Sequence, residues 1–193
     1  MVENTELLDV LRHFKELPGD QVSSNPWLCL AYAWAKAYAD PSSGMEELLQ
    51  QAEQSLAGVE KDSEKKHLTS HLAAIRAYLA WMRGEAELAL EFVQHAMENL
   101  PEEDWAARTH LLNIEGLALQ YRGNFLEATQ SFEKALAAGQ KTGRVHEMLY
   151  TSSNLAYVQM LQGHLRKAYS LCQAAVSKTE EVGLSSLRFP VLA

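Results

Sequence analysis

Residues 111–139, LLNIEGLALQYRGNFLEATQSFEKALAAG, decide the fold of this chain. Apolar residues recur at helical spacing on both sides of a turn at Arg122-Gly123-Asn124, so the stretch predicts two helices. Gly116 lies inside the first predicted helix, where a glycine costs about 1 kcal/mol relative to alanine. A glycine in such a place indicates close approach of the neighbouring helix.

The same pattern of a small residue followed by a turn glycine recurs on both sides of this stretch. Gly84 and Gly163 correspond to Gly123, at spacings of 39 and 40 residues. In both flanking units an alanine takes the place of Gly116. The unit resembles the tetratricopeptide repeat (TPR), a helix–turn–helix element with a standard period of about 34 residues. We therefore predict an all-α chain, a right-handed α-solenoid of TPR-like repeats with a period of about 40 residues.

The helix signals divide the chain into an N-terminal helix at 4–16 and a single domain of four repeats. The predicted repeats span approximately residues 26–57, 61–99, 102–139 and 144–181, and a further repeat is predicted to start at 184–193. Asn25 and Pro26 predict the beginning of the first repeat, as an N-cap followed by proline at the first helical position. A turn is predicted through residues 21–25 and a loop between Gly139 and Gly143. No segment alternates with period two, so no strand is expected.

The predicted repeat at 184–193 is incomplete, which indicates a segment of a longer protein. It also lacks the polar capping helix that solenoids usually have at their ends. We therefore expect self-association through the C-terminal end. In that case Leu161, Leu165 and Leu187 would be partly exposed or covered by a second copy of the chain.

The composition argues against several classes of function. The 193 residues carry a net charge of −8 with a pI near 5.4, so we expect no direct binding to nucleic acid, which requires a basic surface. No apolar run approaches the roughly 18 residues of a membrane span, and the acidic N-terminus does not resemble a signal peptide. Cys29 and Cys172 are predicted to be buried core thiols, which suits a reducing cytoplasm.

A second resemblance rests on particular segments of the chain. It involves LP at 17–18, PWLCLAYAWA at 26–35, RAYLA at 76–80, RG at 83–84 and LPE at 100–102. In these segments the chain resembles the helical-repeat region of large ATP-dependent LuxR-type transcriptional regulators, the MalT-like group. The resemblance implies a sensory segment that receives an inducer or a protein partner, between an ATPase module and a helix-turn-helix DNA-binding domain. The chain itself has no Gly-x-x-x-x-Gly-Lys-Ser/Thr phosphate loop, so no ATPase activity is expected of it.

Patterns for catalysis and metal binding are weak. His67 and His71 lie four residues apart on one helix face, as metal ligands can, but the sequence offers no third or fourth ligand nearby. The acidic run Glu102-Glu103-Asp104 falls in the first turn of a predicted helix, where carboxylates interact favourably with the helix dipole. We therefore predict no catalytic residues, no cofactor and no metal site.

One feature predicts a binding surface. In TPR-like solenoids, certain positions of the first helix of each repeat face a concave groove. Eight of the eleven Trp and Tyr residues of this chain occupy such positions. The predicted groove residues are Trp27, Trp34, Tyr38, His71, Tyr78, Trp81, His110, Asn113, Gln120, Tyr121, Tyr150 and Tyr157. An aromatic stripe can also belong to the core, and the sequence leaves both interpretations open. In a groove, Trp and Tyr suit an oligosaccharide or an extended peptide, because each side chain combines a flat apolar face with a polar group.

Two functions agree with these observations. The first is a ligand- or protein-sensing segment of a LuxR-type, MalT-like regulator, with an inducer or partner in the concave groove. The alternative is a self-standing TPR scaffold that binds a peptide or helix of a partner protein. An enzyme is a poor third, and no membrane association is expected.

Overall fold

The computed structural model describes residues 4–17, 19–42 and 44–181. The helices are α1 (Asn4–Glu16), α2 (Gly19–Ser24), α3 (Pro26–Ala39), α4 (Met45–Ser55), α5 (Asp62–Met82), α6 (Ala86–Asn99), α7 (Trp105–Tyr121), α8 (Phe125–Thr142), α9 (Val145–Leu161) and α10 (Leu165–Glu181). A short 3-10 helix, Leu56–Gly58, follows α4. The described residues contain no strand, so the predicted all-α fold is confirmed.

In three of the four helix pairs, the two helices are joined by the same type of turn. Gly84, Gly123 and Gly163 have φ angles of 77°, 80° and 79°. This left-handed backbone favours glycine, which has no Cβ to clash with the carbonyl. In each turn the N–H after the glycine donates to the carbonyl five residues earlier, at 2.8–2.9 Å: Glu85 to Ala80, Asn124 to Leu119 and His164 to Gln159. These bonds satisfy carbonyls at the end of the first helix, so the repeat seen in the sequence is also a repeat of conformation.

The first pair begins as predicted but is preceded by an additional helix. The Asn25 side chain accepts hydrogen bonds from the backbone N–H groups of Trp27 and Leu28, at 3.0 and 3.2 Å, and Pro26 follows it directly. The predicted N-cap is therefore confirmed. Residues 19–24, however, form the six-residue helix α2 where a turn was predicted for most of the segment. Helix α2 packs on α3 and α4, and this packing stabilises a helix that the polar composition of the segment did not predict.

Helix α8 is longer than predicted. The prediction of a loop between Gly139 and Gly143 is wrong, because the helix continues to Thr142. It ends at Gly143, whose φ is 67°. Gly139 is buried, and a Cβ there would lie 3.4 Å from Met148 Cγ. Glycine at this position therefore allows close packing of α8 against α9 and does not end the helix.

The first and the second helices of the pairs pack against different neighbours. The first helices of successive pairs pack on one another, α3 on α5, α5 on α7 and α7 on α9. The second helices α4, α6 and α8 pack chiefly on their own partners and on the first helix of the next pair. An array curves toward the set of helices that lie closest together. We therefore place the first helices on the concave side of the described repeats.

Small residues make this close packing possible. Ala33, Ala37, Ala77, Ala89 and Ala96 have no exposed surface. Because an alanine side chain is a single methyl group, the backbones of adjacent helices can approach one another closely. Larger apolar side chains fill the remaining core.

Two expectations about the C-terminal helices have different outcomes. Leu161 and Leu165 are exposed, and Leu187 lies outside the described residues, so self-association through this end stays a prediction. The prediction that both cysteines are buried is right for Cys29 but wrong for Cys172, which is exposed on α10. Most described side chains of α10 are exposed or half-buried, which the apolar pattern of the helix did not reveal. Within the described residues, none of the helices is long and apolar enough to cross a membrane.

Candidate functional site

Five predicted groove residues meet on the first helices. We call Trp34, Tyr38, Tyr78, Trp81 and His110 the central aromatic cluster. Trp34 and Tyr38 are stacked, with ring centroids 5.5 Å apart and an interplanar angle of 21°. The edge-to-face contact between Trp34 and His110 has a centroid distance of 4.7 Å. Tyr78 contacts the other four rings at centroid distances of 5.0–6.1 Å.

His110 is the titratable group within this cluster. Its two ring nitrogens each lie 3.3 Å from the Tyr38 hydroxyl, so one nitrogen can share a hydrogen bond with it. Burial lowers the pKa of His110 from 6.5 to about 4, and the charge of His71 contributes to the same shift. The imidazole is therefore neutral near pH 7, with one nitrogen as donor and the other as acceptor.

Tyr38 of the cluster and Tyr150 on the neighbouring helix α9 are open to solvent, yet protein groups surround their hydroxyls. Tyr38 is 48% exposed, but burial raises the pKa of its hydroxyl well above the usual value. Tyr150 on α9 is equally exposed, and burial raises its pKa as well, while a hydrogen bond with Asn154 lowers it. A side chain can combine these properties when its ring edge faces water and its hydroxyl lies low in a concave surface. Tyr150 also raises the pKa of Tyr38 and Tyr78, although no ring contact joins it to the cluster among the described residues.

The indoles and Tyr78 lie deeper than Tyr38. Trp34, Tyr78 and Trp81 are half-buried, and all three pack against the apolar core between α5, α6 and α7. Their inner faces therefore contribute to stability. The exposed tyrosines, and not the indoles, form the accessible part of the surface.

Trp27 and His71 belong to a second group of side chains, next to the first. The Trp27 ring makes edge contacts with the imidazoles of His67 and His71, at centroid distances of 5.0 and 5.5 Å. Its Nε1 donates to Glu64 Oε1 at 3.3 Å. Asp104, at the beginning of α7, contacts both imidazoles, so a third polar group that the sequence did not locate lies beside the His67–His71 pair.

Asn113 is placed below the surface. It is 4% exposed, and its Nδ2 donates to Thr151 Oγ1 at 2.9 Å and to the Thr109 carbonyl at 3.0 Å. The side chain therefore joins α7 to α9. Position 113 follows His110 by three residues, but its side chain is covered by α9 instead of facing the groove.

Removing the acceptor at Thr151 tests this internal role. We expect Thr151→Val to lower the free energy of unfolding by about 1 kcal/mol, because the buried bond from Asn113 is lost while the side chain keeps its shape. The bond that the Thr151 hydroxyl donates to the Glu147 carbonyl of its own helix is lost as well. Urea denaturation measures the change. Ser153→Ala is the matched control, since among the described residues the Ser153 hydroxyl bonds only the Leu149 carbonyl of its own helix. Equal stability of Thr151→Val and the unmodified chain would contradict a structural role for the Asn113–Thr151 bond.

Three remaining residues lie apart from the cluster. Tyr121 is 72% exposed at the end of α7, and its hydroxyl lies 3.6 Å from where a Cβ on Gly84 would be. Tyr157 is exposed on α9, and Gln120 is half-buried. Among the described residues no ring contact joins Tyr121 or Tyr157 to the central aromatic cluster.

A separate groove of about 530 Å³ lies between α4, α5 and α6. Its lining includes the ion pair of Arg76 with Glu53, whose atoms are 2.9 Å apart, and the side chains of Lys65 and His95. Because it is formed largely by second helices and by the opposite face of α5, it is distinct from the central aromatic cluster. It lacks a comparable group of stacked rings.

Two comparisons with known proteins agree with this architecture. The family model described as the MalT-like TPR region matches residues 70–192. The chain is also 24% identical over 187 residues to the HTH-type transcriptional regulator MalT of Cronobacter sakazakii (strain ATCC BAA-894). That alignment covers 97% of this chain and 20% of the regulator, so the chain spans about one fifth of its relative's length.

Proposed function

Because this chain belongs to the family of MalT-like TPR regions, we propose that it senses an inducer for a transcriptional regulator through its central aromatic cluster. A helical-repeat regulatory segment follows from the family and the fold. The binding role rests on one observation above all. Tyr38 presents an exposed ring in a concave surface, stacked on Trp34 and hydrogen-bonded to His110.

The chemistry of the cluster favours an uncharged polar ligand with apolar faces. Its members are three phenol or imidazole rings and two indoles, and none carries a charge near pH 7. A charged ligand would lose hydration there without gaining an opposite charge. A sugar ring can stack on the exposed ring of Tyr38 and exchange hydrogen bonds with the Tyr38 hydroxyl and the imidazole of His110. An oligosaccharide therefore fits the surface better than an acidic or basic ligand.

The alternative ligand is an extended peptide of a partner protein. A peptide would need several polar groups along the first helices to bind its backbone, and Asn113, the amide nearest to His110 on α7, is already occupied by Thr151. This favours the sugar over the peptide.

Titration of the unmodified chain with two panels of compounds tests the proposal. One panel contains linear oligosaccharides, and the other contains extended uncharged peptides of similar length. Trp34 and Trp81 are within the cluster, so tryptophan fluorescence should change in a saturable way with at least one oligosaccharide. Saturation by peptides alone would support the scaffold function instead. A lack of saturable change with either panel would contradict a ligand surface at the cluster.

A further inference from the structure

Three potential metal ligands converge between α5 and α7. His67 Nε2 lies 2.8 Å from Asp104 Oδ2, and His71 Nε2 lies 3.1 Å from the same oxygen. The two Nε2 atoms are 3.2 Å apart. The histidines are one helical turn apart on α5, and Asp104 is the N-cap of α7 in the next helix pair. One atom from each residue therefore points to a common centre.

The arrangement resembles a set of metal ligands more closely than a simple ion pair. Both imidazoles present the same nitrogen to one carboxylate oxygen, which crowds two N–H groups against each other if both are protonated there. In a tetrahedral zinc site with bonds of about 2.0–2.2 Å, neighbouring ligand atoms lie about 3.3–3.6 Å apart. The three observed distances, 2.8, 3.1 and 3.2 Å, are shorter than that range by less than about 1 Å. A cation could therefore enter with little movement of the helices.

Neighbouring contacts hold the three groups in place. Asp104 Oδ1 accepts the backbone N–H of Ala107 at 3.0 Å, so the cap fixes the carboxylate and leaves Oδ2 to the histidines. The edge contacts of Trp27 support both imidazoles from one side. The side chains of His67, His71 and Asp104 are 19–27% exposed, which leaves them accessible from solvent.

We propose that His67, His71 and Asp104 bind a divalent transition-metal ion such as Zn²⁺. Two imidazoles and one carboxylate are ligands that zinc accepts, and a water molecule or a ligand oxygen would complete the tetrahedron. The ion would join α5 to α7, the first helices of two successive pairs. It would thereby fix the part of the concave side next to the central aromatic cluster.

Calorimetric titration with zinc chloride near neutral pH, after treatment of the full chain with a chelator, tests this site. We expect one Zn²⁺ per chain and a higher melting temperature when zinc is added. His71→Ala and Asp104→Asn should each weaken binding by at least about tenfold, because each removes one of three ligands. Asparagine at 104 keeps an oxygen for the N-cap, so this variant should retain the fold.

Two matched variants serve as controls. His95→Ala removes an exposed histidine of α6, and Cys172→Ser removes the exposed thiol of α10, so both should bind zinc as the unmodified chain does. Replacement of zinc by Co²⁺ supplies a second measurement, since a four-coordinate site gives strong visible absorption that His71→Ala should abolish. The proposal is overturned if zinc does not saturate, or if His71→Ala and Asp104→Asn bind it as tightly as His95→Ala does.

Discussion

Replacing Gly116 by leucine is expected to lower the free energy of unfolding by on the order of 1–3 kcal/mol. A Cβ at position 116 would lie 2.6–2.8 Å from three ring atoms of Phe132. Phe132 has no exposed surface and lies in the core that α8 forms with its neighbours, so the ring cannot move aside into solvent. Denaturant unfolding followed by circular dichroism measures the change.

Gly58→Leu is the matched control for this prediction, because an added Cβ at position 58 meets no atom within 4 Å. A smaller pair of changes tests the contact itself. Gly116→Ala and Phe132→Leu should each destabilise the chain, but together they should cost less than the sum of the two, since leucine makes room for the added methyl. Additive effects, or a melting temperature of Gly116→Leu equal to that of the unmodified chain, would contradict the close helix contact.

The second large effect is a dependence of stability on pH through His110. Its pKa is about 4 in the folded chain and near 6.5 in the unfolded chain, so between these values the unfolded state binds more protons. Stability contributed by the neutral ring is complete above about pH 6.5 and falls as the pH decreases toward 4. The loss is on the order of 1–3 kcal/mol, because the half-buried ring is partly screened by water. The groups that surround the ring are Trp34, Tyr38, Tyr78 and His71.

Comparison of His110→Gln with His95→Gln isolates this effect from the other titrating groups. His110→Gln loses ring contacts and should be less stable near pH 7, but its stability should fall less between pH 6.5 and 4 than that of the unmodified chain. His95→Gln, on the exposed face of α6, should keep the slope. Urea midpoints measured in the presence of a chelator give the comparison. Parallel curves for His110→Gln and the unmodified chain would contradict an uncharged, half-buried imidazole.

The repeats could be predicted because short-range signals determine them. Gly84, Gly123 and Gly163 occupy a turn that requires positive φ, and a glycine at that place is visible in the sequence itself. The close helix contact at Gly116 was predictable for a similar reason, since a glycine inside a helix indicates a close neighbour. Helix α2 was not, because residues 19–24 contain few apolar groups and become helical against α3 and α4.

The candidate site was predictable only within single helices. Helical spacing places Trp34 and Tyr38 on one face of α3, and likewise Tyr78 and Trp81 on one face of α5. How far each helix pair rotates on the previous one depends on packing between repeats, which one sequence does not specify. For this reason the sequence did not indicate that Asn113 lies under α9, or that Asp104 meets His67 and His71. The spacing of the two histidines was the only local signal of that group.

The binding of an oligosaccharide to Tyr38→Ala, compared with Tyr169→Ala, tests the central claim most directly. Both tyrosines are exposed, but Tyr169 is on α10, away from the central aromatic cluster. If the cluster is the ligand surface, Tyr38→Ala should weaken binding about three- to tenfold, the value of one aromatic partner, while Tyr169→Ala should not. The melting temperature of Tyr38→Ala should stay close to that of the unmodified chain, because its ring is half exposed. Equal affinities of the two variants, or a large loss of stability without a change in affinity, would contradict the account.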